Sequence, residues 1–343
     1  MTNGLYVFLL PVIPVKTGFL YTAPHIVHKT WAESLDALFI EDKVKKLSIP
    51  NLSRLFKSLG IIKKIPKDID ILLCESSSNT FSGALWKLQN PGKKAILIAS
   101  DPKWHFLSSM GRLKKQAHEW ALGKFDLIIA TSPMMKEKFP SYLQSKIKVV
   151  FAFADTERFL KKKADLDAKN IIYTGRVSKD KGADLVLEAF KLVKQKELSA
   201  KMYFVGISSK LPNEGDLREQ LEKQNVKDVI FTGMVKNPEE YMKNCSILMS
   251  LARIDAANIS VIEAMCMGMI PIVSTGVGYQ HIVKELGKEL VVQNEQEAAE
   301  LVLKLWKNKA KMKEYSKKAV KIAAYYNKEN SLKEFKEAVQ SFL

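Results

Sequence analysis

The feature that most constrains this chain of 343 residues is an alternation of short apolar runs with longer amphipathic stretches. Near-continuous apolar runs separated by helical patterns are typical of parallel strands covered by helices on both faces. Six runs lie in the front half and six in the back half. In chain order they are Leu5–Ile13, Ala37–Ile40, Ile69–Cys74, Ala95–Ala99, Leu127–Thr131, Ile147–Phe151, Ile171–Thr174, Met202–Val205, Val229–Thr232, Ile247–Leu251, Ile270–Ser274 and Leu290–Val292. Two such sets predict an α/β fold with two doubly wound domains side by side.

The boundary between the two sets falls where apolar periodicity stops. Residues 156–170 are mostly polar, so we expect a first domain over 1–155 and a second over 156–320. From Ala298 onward, apolar residues recur at helical spacing without a glycine. We expect the last part, residues 321–343, to be a helix that packs back toward the first domain.

Composition excludes several classes of protein. No stretch of eighteen apolar residues occurs, so no membrane-spanning helix is expected. The first run lacks a basic leader and is interrupted by Pro11 and Pro14, which favours a buried strand over a signal peptide. The three cysteines are widely spaced, so we expect no disulfide framework or zinc site and a reducing, cytoplasmic location.

The chain is strongly basic, with 54 basic and 37 acidic residues and a net charge of +17. Only six of the basic residues are arginine, so bidentate phosphate recognition is not a general theme. A lysine-rich solvated surface accounts for such an excess, and attraction to an anionic surface is the alternative. Residues 52–67 mix basic and apolar side chains, a pattern typical of contact with anionic lipid headgroups. No nucleic acid partner is expected, because no nucleic-acid-binding signature accompanies the charge.

A phosphate site is predicted behind the strand Ile171–Thr174. Gly175 and Arg176 follow this strand directly, and Lys181 and Gly182 precede a helical run. In parallel α/β sheets, the end of a strand and the start of the next helix face the ligand crevice, where helix amides favour anions. An arginine fork and a lysine charge there suit a diphosphate. The alternative is an ordinary loop with solvated cations.

Two carboxylates follow the strand Ile247–Leu251. Asp255 precedes a predicted helix over 258–267, and Glu263 lies in the second turn of that helix, which Gly268 closes. Carboxylates that share a cleft wall can accept hydrogen bonds from the hydroxyls of a sugar or ribose. Alternatively, Glu263 pairs locally with a lysine and Asp255 is a surface acid.

A glycine pair, Gly276 and Gly278, follows the next strand and would free backbone amides for a phosphate. Taken in order, these segments resemble the retaining GT-B glycosyltransferases of family 4, the glycosyl transferases group 1. The resemblance covers roughly residues 147–295. It rests on Asp155-Thr156-Glu157-Arg158-Phe159, Gly175-Arg176, Lys181-Gly182, Val205-Gly206, Phe231-Thr232-Gly233, Asp255, Glu263-Ala264-Met265, Gly268, Pro271-Ile272-Val273 and Gly276-Val277-Gly278.

This resemblance implies two Rossmann-like domains facing across a cleft, with a UDP-, GDP- or ADP-sugar donor held mainly by the back domain. Arg176 and Lys181 would contact the diphosphate, Glu263 the ribose, and Asp255 the donor sugar. The base would lie near Phe231–Val235, and so near Val235. Backbone amides around Gly276, Val277 and Gly278 would reach the phosphate or sugar.

The chain departs from the family pattern in places. The family usually has glutamate where Asp255 stands, and a glycine-rich loop after the first strand, for which Gly18 is the only equivalent here. In place of a front-domain histidine there are Asp101 and His105, for which we weigh a role near the acceptor against a simple helix start at Asp101. The other front-domain histidines are read as structural: His25, His28 and His118.

The resemblance implies retaining transfer of a sugar to an acceptor glycan, lipid or small molecule. No DxD pair lies among the predicted site residues and two cations face the diphosphate, so we expect no metal and no cofactor. The basic and apolar residues 52–67 favour a lipid-linked or otherwise membrane-proximal acceptor, and so a location at the inner face of a membrane. A GT-B epimerase and a catalytically degenerate nucleotide-sugar binding protein are the alternatives.

Overall fold

The front domain is built on a parallel sheet. The computed structural model describes residues 15–22, 24–42, 58–75, 79–101, 107–208, 210–211 and 215–342. Within these ranges the front sheet has six strands in the order β2-β1-β3-β4-β5-β6. They are β1 (Thr17–Tyr21), β2 (Leu38–Glu41), β3 (Ile71–Glu75), β4 (Lys94–Ala99), β5 (Leu127–Ala130) and β6 (Ile147–Val149).

The back domain repeats this architecture with a second parallel sheet, and a short antiparallel pair, β9 and β10, lies beside it. Among the described residues this sheet has six strands in the order β11-β8-β7-β12-β13-β14. The strands of the six-stranded sheet are β7 (Asn170–Thr174), β8 (Lys201–Val205), β11 (Val229–Gly233), β12 (Ile247–Ser250), β13 (Ile270–Ser274) and β14 (Val291–Val292). The antiparallel pair is formed by β9 (Lys210–Leu211) and β10 (Gly215–Asp216).

Helices connect the strands and pack against both sheets. The front domain has α1 (Ile26–Glu33), α2 (Thr80–Gln89), α3 (Arg112–Gly123) and α4 (Pro133–Glu137). The rest of the chain has α5 (Thr156–Leu160), α6 (Ala183–Lys196), α7 (Leu217–Glu222), α8 (Glu239–Met242), α9 (Ile259–Cys266), α10 (Gln280–Leu286), α11 (Glu295–Trp306), α12 (Lys309–Ala323) and α13 (Lys328–Gln340). The predicted fold class, α/β with two doubly wound domains, is confirmed.

The first front strand differs from the prediction. The apolar run Leu5–Ile13 lies outside the described residues, and β1 occupies a place in the sheet between β2 and β3. The prediction that Gly18 belongs to a ligand-binding loop is wrong, because Gly18 pairs with Leu38 and Leu72 inside β1. A Cβ at this position would meet the side chain of Ile40 at 3.2 Å, so the glycine serves strand packing.

The last helix, α13, packs on the front domain. The indole of Trp31 stacks on Phe335 with ring centroids 5.2 Å apart, and its Nε1 donates a hydrogen bond to Ser331 Oγ at 3.0 Å. Ser331 Oγ in turn donates to the carbonyl of Phe151 at 2.7 Å. The boundary expected between residues 320 and 321 falls inside α12, and the chain turns after that helix instead.

The two segments that join the domains touch each other. The amide of Ala154, just before α5, donates to the carbonyl of Tyr326, just before α13, at 3.0 Å. Beside them the hydroxyl of Tyr279 donates to the carbonyl of Ala152 at 2.9 Å. Both crossings of the chain between the domains therefore lie side by side.

The segment predicted to contact lipid is in part a core segment. Residues 52–57 lie outside the described residues. In the described remainder, Ile61, Ile62 and Ile65 are 1%, 8% and 6% exposed and pack in the front core, while Lys63 and Lys64 face solvent. The predicted lipid contact of Ile61 and Ile62 is wrong, because both side chains are buried in the core, whereas Leu59 is 40% exposed. No helix within the described ranges is long and apolar enough to cross a bilayer.

Candidate active site

A cavity of about 590 Å³ opens at the carboxyl ends of β7 and β12. In the back sheet the chain leaves β7 toward β8 on one side and reaches β12 on the other. Doubly wound sheets bind ligands at such a switch point, outside the carboxyl ends of the strands. Residues that the sequence singled out line this cavity: Gly175, Arg176, Val235, Lys181, Asp255 and Glu263.

The turn from β7 into α6 is built for close approach of backbones. Gly182 has a φ of 68°, and a Cβ there would lie 1.9 Å from the carbonyl oxygen of Leu251. Gly182 is also the N-cap residue of α6, so no side chain caps the first amides of this helix. Lys181, two residues before this helix, lines the cavity, and the helix dipole favours an anion at this end of it.

Lys181 and Asp255 form an ion pair inside the cavity. The Lys181 Nζ lies 2.7 Å from Oδ1 of Asp255, and the two side chains are 17% and 12% exposed. The backbone of Asp255 is held firmly, because its amide donates to the carbonyl of Gly276 at 2.8 Å and its carbonyl accepts from the amide of Gly278 at 2.7 Å. In the absence of ligand, the lysine charge is therefore balanced by a fixed carboxylate.

Arg176 lines the cavity close to its mouth. Its side chain is 44% exposed, and its guanidinium lies 3.1 Å from the carboxylate of Asp180. The preceding turn is held by the hydroxyl of Tyr173, which donates to the carbonyl of Arg176. An exposed ion pair of this kind is weak, so the guanidinium can exchange Asp180 for a ligand anion.

Glu263 carries a perturbed carboxyl at the base of the cavity. Burial is the main cause that raises the pKa of Glu263 from 4.5 to about 7. The positive charge of Arg158, which is itself paired with Glu239 at 2.6 Å, opposes this shift, and the carboxylates of Asp155 and Glu239 add to it. Glu263 consequently changes its charge near neutral pH.

Polar side chains at the start of α9 complete the floor of the cavity. Asn258 Nδ2 donates to Ser250 Oγ at 2.8 Å, and Ser260 Oγ donates to Asn258 Oδ1 at 2.5 Å. Ser260 also reaches the carbonyl of Thr174 at 3.3 Å and so ties α9 to β7. The sequence analysis missed this network. The asparagine at the predicted helix start was the signal that could have indicated it.

The front domain contributes His25, which lines the cavity opposite these residues. Its Nδ1 accepts a hydrogen bond from the amide of Val27 at 3.3 Å, so the ring proton lies on Nε2. Its backbone amide donates to Glu75 at 3.0 Å, and the same carboxylate oxygen lies 2.7 Å from His28 Nδ1. Partial desolvation and the neighbouring His28 lower the pKa of His25. The sequence analysis interpreted His25 as structural and therefore missed its place in the cavity wall. His25 lies directly before α1, the helix that follows β1.

The loop after β13, whose amides were predicted to reach the phosphate or sugar, does not line the cavity. Gly276, Val277 and Gly278 are absent from the described cavity lining. Val277 is fully buried, and the amide of Gly278 is already bonded to Asp255. A Cβ on Gly278 would lie 2.0 Å from the carbonyl of Ala256. The loop needs glycine because it packs closely against the Asp255 segment, which it positions.

The remaining predicted residues divide by location. Val235 lines the cavity together with Met234, whose side chain is largely exposed. Asp101 follows β4 and is absent from the lining of the cavities described here, and His105 lies outside the described residues. Within the described ranges, no three His, Cys, Asp or Glu side chains are close enough together to hold a metal ion.

A second cavity, of about 1190 Å³, lies between the two domains beside the first. It shares His25, Ile259 and Glu263 with the smaller cavity. The two spaces therefore meet at Glu263 and form one cleft between the domains.

Comparison with known sequences identifies the back domain. Residues 155–322 match the family model described as glycosyl transferases group 1. GDP-mannose:cellobiosyl-diphosphopolyprenol alpha-mannosyltransferase of Xanthomonas campestris is 26% identical over 172 residues, which are 49% of this chain and 45% of that protein. An uncharacterised glycosyltransferase of Methanocaldococcus jannaschii is 24% identical over 246 residues, 65% of this chain and 59% of that protein. The chain thus spans about half the length of the curated relatives it matches.

Comparison with solved structures identifies the fold over nearly the whole chain. Anabaena HepE, in complex with UDP and glucose, superposes with a TM-score of 0.76 at 15% identity and covers 95% of this chain and 100% of that one. An Escherichia coli structure described as trehalose-6-phosphate bound with UDP-2-fluoro glucose gives a TM-score of 0.77 at 11% identity, with 96% and 99% covered. These likenesses establish the shared two-domain GT-B fold.

Proposed function

We propose that this chain, which belongs to the glycosyl transferases group 1 family through residues 155–322, transfers a sugar from a nucleotide-diphosphate donor to an acceptor. The observation that carries the proposal is the meeting of Arg176 and Lys181 in one cavity with Asp255 and Glu263, next to a helix start that no side chain caps. Cations and helix amides suit a diphosphate, and carboxylates suit the hydroxyls on either side of it.

The donor would lie along the cavity in a fixed order. The diphosphate would replace Asp180 and Asp255 as the partner of Arg176 and Lys181. Glu263 would accept hydrogen bonds from the ribose hydroxyls, and the base would lie against Val235. The similar proteins do not point to one nucleotide. HepE was solved with UDP, and the Xanthomonas enzyme is named for GDP-mannose. We keep UDP-, GDP- and ADP-sugars as candidates.

The difficult step is breakage of the bond between the anomeric carbon and the phosphate oxygen. Negative charge grows on the departing diphosphate, and preorganised cations and amides stabilise it. Arg176 and Lys181 supply that charge from the protein, so the reaction needs no metal ion in this proposal. When the diphosphate replaces Asp255 as the ion-pair partner of Lys181, the carboxylate of Asp255 is released to accept a hydrogen bond from the donor sugar.

We propose retention of the anomeric configuration. The acceptor hydroxyl would approach from the face on which the diphosphate leaves. Its oxygen forms the new bond to the anomeric carbon as the bond to phosphate breaks, and its proton passes to the departing phosphate oxygen. The front domain closes the opposite side of the cleft, where the Nε2 proton of His25 can be donated in a hydrogen bond to a ligand oxygen.

For the acceptor we propose a saccharide carried on a lipid. The Xanthomonas relative is described by a diphosphopolyprenol acceptor, and the front half of this chain holds 22 basic against 12 acidic residues. Such a charge excess favours a site of action at an anionic membrane surface, on its cytoplasmic side.

A ligand panel tests the proposal. Thermal unfolding is measured with UDP-, GDP- and ADP-sugars, because a ligand at 100 times its Kd stabilises the fold by about 2.7 kcal/mol. Donor hydrolysis and transfer to lipid-linked saccharides are then measured separately, and the product configuration is read by NMR. Stabilisation by none of the donors would contradict the proposal, and stabilisation without hydrolysis or transfer would identify a binding protein.

A further inference from the structure

The outward face of α3 is apolar although the fold does not require it. Leu113 is 82% exposed and Trp120 is 43% exposed, and seven residues place them on the same side of the helix. The inward face already packs through other residues of α3, namely His118, Ala121 and Leu122. Two large apolar side chains are therefore held in solvent by a well-ordered helix.

Basic residues surround this apolar stripe. Along α3 and the residue after it there are four cations and one acid. That acid, Glu119, lies 3.8 Å from Lys115, which leaves three of the cations in excess. One of them, Lys124, lies 5.6 Å from the centre of the Trp120 ring. We call α3 surface the following set: Arg112, Leu113, Lys114, Trp120, Lys124 and Tyr142.

Tyr142 belongs to this surface although it lies in the short helix that precedes β6. Its side chain is 58% exposed. Partial desolvation and the negative charge of Glu119, a residue of α3, both raise the pKa of Tyr142. The α3 surface thus presents an aliphatic side chain, two amphipathic rings and an excess of positive charge.

The first turn of α3 lies at the edge of the front sheet that faces the cleft. A helix that follows a parallel strand begins at the carboxyl edge of the sheet, and α3 follows β4 in the front sheet. Arg112 and Leu113, in its first turn, therefore lie at the end of the front domain that faces the cleft.

We propose that the α3 surface docks on an anionic lipid bilayer. Leu113 and Trp120 would enter the boundary between headgroups and acyl chains, and Arg112 and Lys114 would contact anionic headgroups. Tryptophan and tyrosine favour that boundary because each has an apolar ring and a polar tip. Basic side chains close to an anionic leaflet add attraction. A protein partner fits less well, because lysine is depleted from protein interfaces.

Docking in this orientation would hold the cleft against the membrane, where a lipid-linked acceptor would enter. The entry of a lipid-linked acceptor rests on the proposed function, but the docking itself does not. Vesicle binding can be measured without donor or acceptor, so the two proposals can fail separately.

Co-sedimentation with vesicles tests the docking. The full chain is mixed with vesicles of phosphatidylglycerol and phosphatidylcholine, or of phosphatidylcholine alone. We expect binding to the anionic vesicles. The double variant Leu113→Ser/Trp120→Ser should bind them at least about tenfold more weakly, since it loses the two apolar side chains that would be buried in the bilayer. Arg112→Gln/Lys114→Gln should also bind about tenfold more weakly. The control Leu198→Ser, which changes a leucine 78% exposed on the back domain, should bind like the wild type.

Tryptophan fluorescence gives a second readout that does not depend on the double variant. On addition of anionic vesicles, emission should shift to shorter wavelength, and Trp120→Phe should keep the binding while losing most of the shift. Far-UV circular dichroism and thermal unfolding confirm that each variant folds.

Three results would overturn the docking proposal. These are absence of binding to anionic vesicles, binding by Leu113→Ser/Trp120→Ser as strong as that of the wild type, and a Trp120→Phe shift equal to that of the wild type. Tighter binding to single-stranded RNA than to vesicles, lost in the charge variant alone, would assign the surface to nucleic acid instead.

Discussion

Lys181 Nζ lies 2.7 Å from the carboxylate of Asp255, and 74 residues separate the two along the chain. The pair neutralises the cation that the proposed reaction needs, so a diphosphate must displace Asp255 before Lys181 can stabilise it. In the proposed reaction, the ion pair would therefore couple occupation of the phosphate site to release of a carboxylate for the donor sugar. This exchange gives opposite expectations for nucleotide binding and for sugar transfer.

Replacement of Asp255 should separate these two effects. In Asp255→Asn, Lys181 no longer has an anionic competitor, and we expect a nucleoside diphosphate to bind about tenfold more tightly. Transfer should slow by about tenfold or more, because the amide is a poorer acceptor for the donor sugar. Calorimetry gives the affinity and a transfer assay gives kcat. The control Asp184→Asn removes an ion-pair partner of Arg253 outside the cavity and should change neither; weaker diphosphate binding by Asp255→Asn would refute the competition.

Removal of the lysine itself should damage the transition state. Lys181→Ala should cost on the order of 3 kcal/mol of transition-state stabilisation, about a hundredfold in kcat, as the loss of one strong electrostatic donor does. Steady-state kinetics measure this loss. Lys179→Ala, an exposed lysine in the same turn, is the matched control. Equal turnover in Lys181→Ala and wild type would remove Lys181 from the proposed mechanism.

The raised pKa of Glu263 predicts a pH dependence of donor binding. Ribose hydroxyls stabilise the ionised carboxyl, so a bound nucleotide-sugar lowers the pKa of Glu263, which is about 7 in its absence. Below pH 7 binding must release a proton, and we expect the affinity to fall up to about tenfold between pH 8 and pH 6. A nucleotide-sugar is the probe because its diphosphate does not titrate in this range. Glu263→Gln should bind more weakly at pH 8 and show a flat profile; an unchanged profile in that variant would assign the titration elsewhere.

The same carboxyl affects the fold without ligand. The unfolded chain loses this proton near pH 4.5 and the folded chain near pH 7. The folded state therefore binds more protons between these values, and its contribution to the free energy of unfolding falls as pH rises through this window. Denaturant unfolding of wild type and Glu263→Gln should show that the variant loses less stability from pH 5 to pH 8. Parallel curves would contradict the raised pKa.

The cation pair predicts that transfer does not need a divalent ion. Transfer rates should be the same with and without EDTA, because Arg176 and Lys181 balance the leaving diphosphate. The assay uses protein dialysed against the chelator. Complete loss of transfer that Mg²⁺ restores would show that a metal ion carries part of this charge.

His25 should contribute from the front domain. His25→Asn preserves a side chain that can cap α1 but removes the Nε2 donor, so we expect unchanged thermal stability and about tenfold lower kcat/KM, the value of one hydrogen bond to a charged group. Because the pKa of His25 is lowered, the loss should be the same at pH 7 and pH 8. Transfer at the wild-type rate would leave His25 with a capping role alone.

The sequence predicted the sheets well because parallel strands buried on both faces leave a strong local pattern. It also identified Lys181, Asp255 and Glu263, since strand ends and helix starts must meet at one edge. Pairing across space was not predictable in this way. Nothing local to Lys181 shows that Asp255 lies within 3 Å, or that the amide of Gly278 is already used by Asp255.

The front domain was predicted less well for a physical reason. β1 is a short strand, and the side chain of Ile40 packs so closely against it that position 18 needs a glycine. In the sequence alone, such a glycine resembles a loop residue. The contribution of His25 depends on which ring nitrogen accepts the hydrogen bond from the Val27 amide. That hydrogen bond sets the tautomer of the ring, and it forms only in the folded turn.

The stacking of Trp31 on Phe335 means that the final helix is structurally a piece of the front domain, although it follows the back domain in sequence. The chain crosses between the domains twice, and the contact of Ala154 with Tyr326 keeps both crossings on one line. We expect any relative motion of the domains to pivot where these two crossings meet. An engineered exchange of front domains between relatives would have to carry α13 with it.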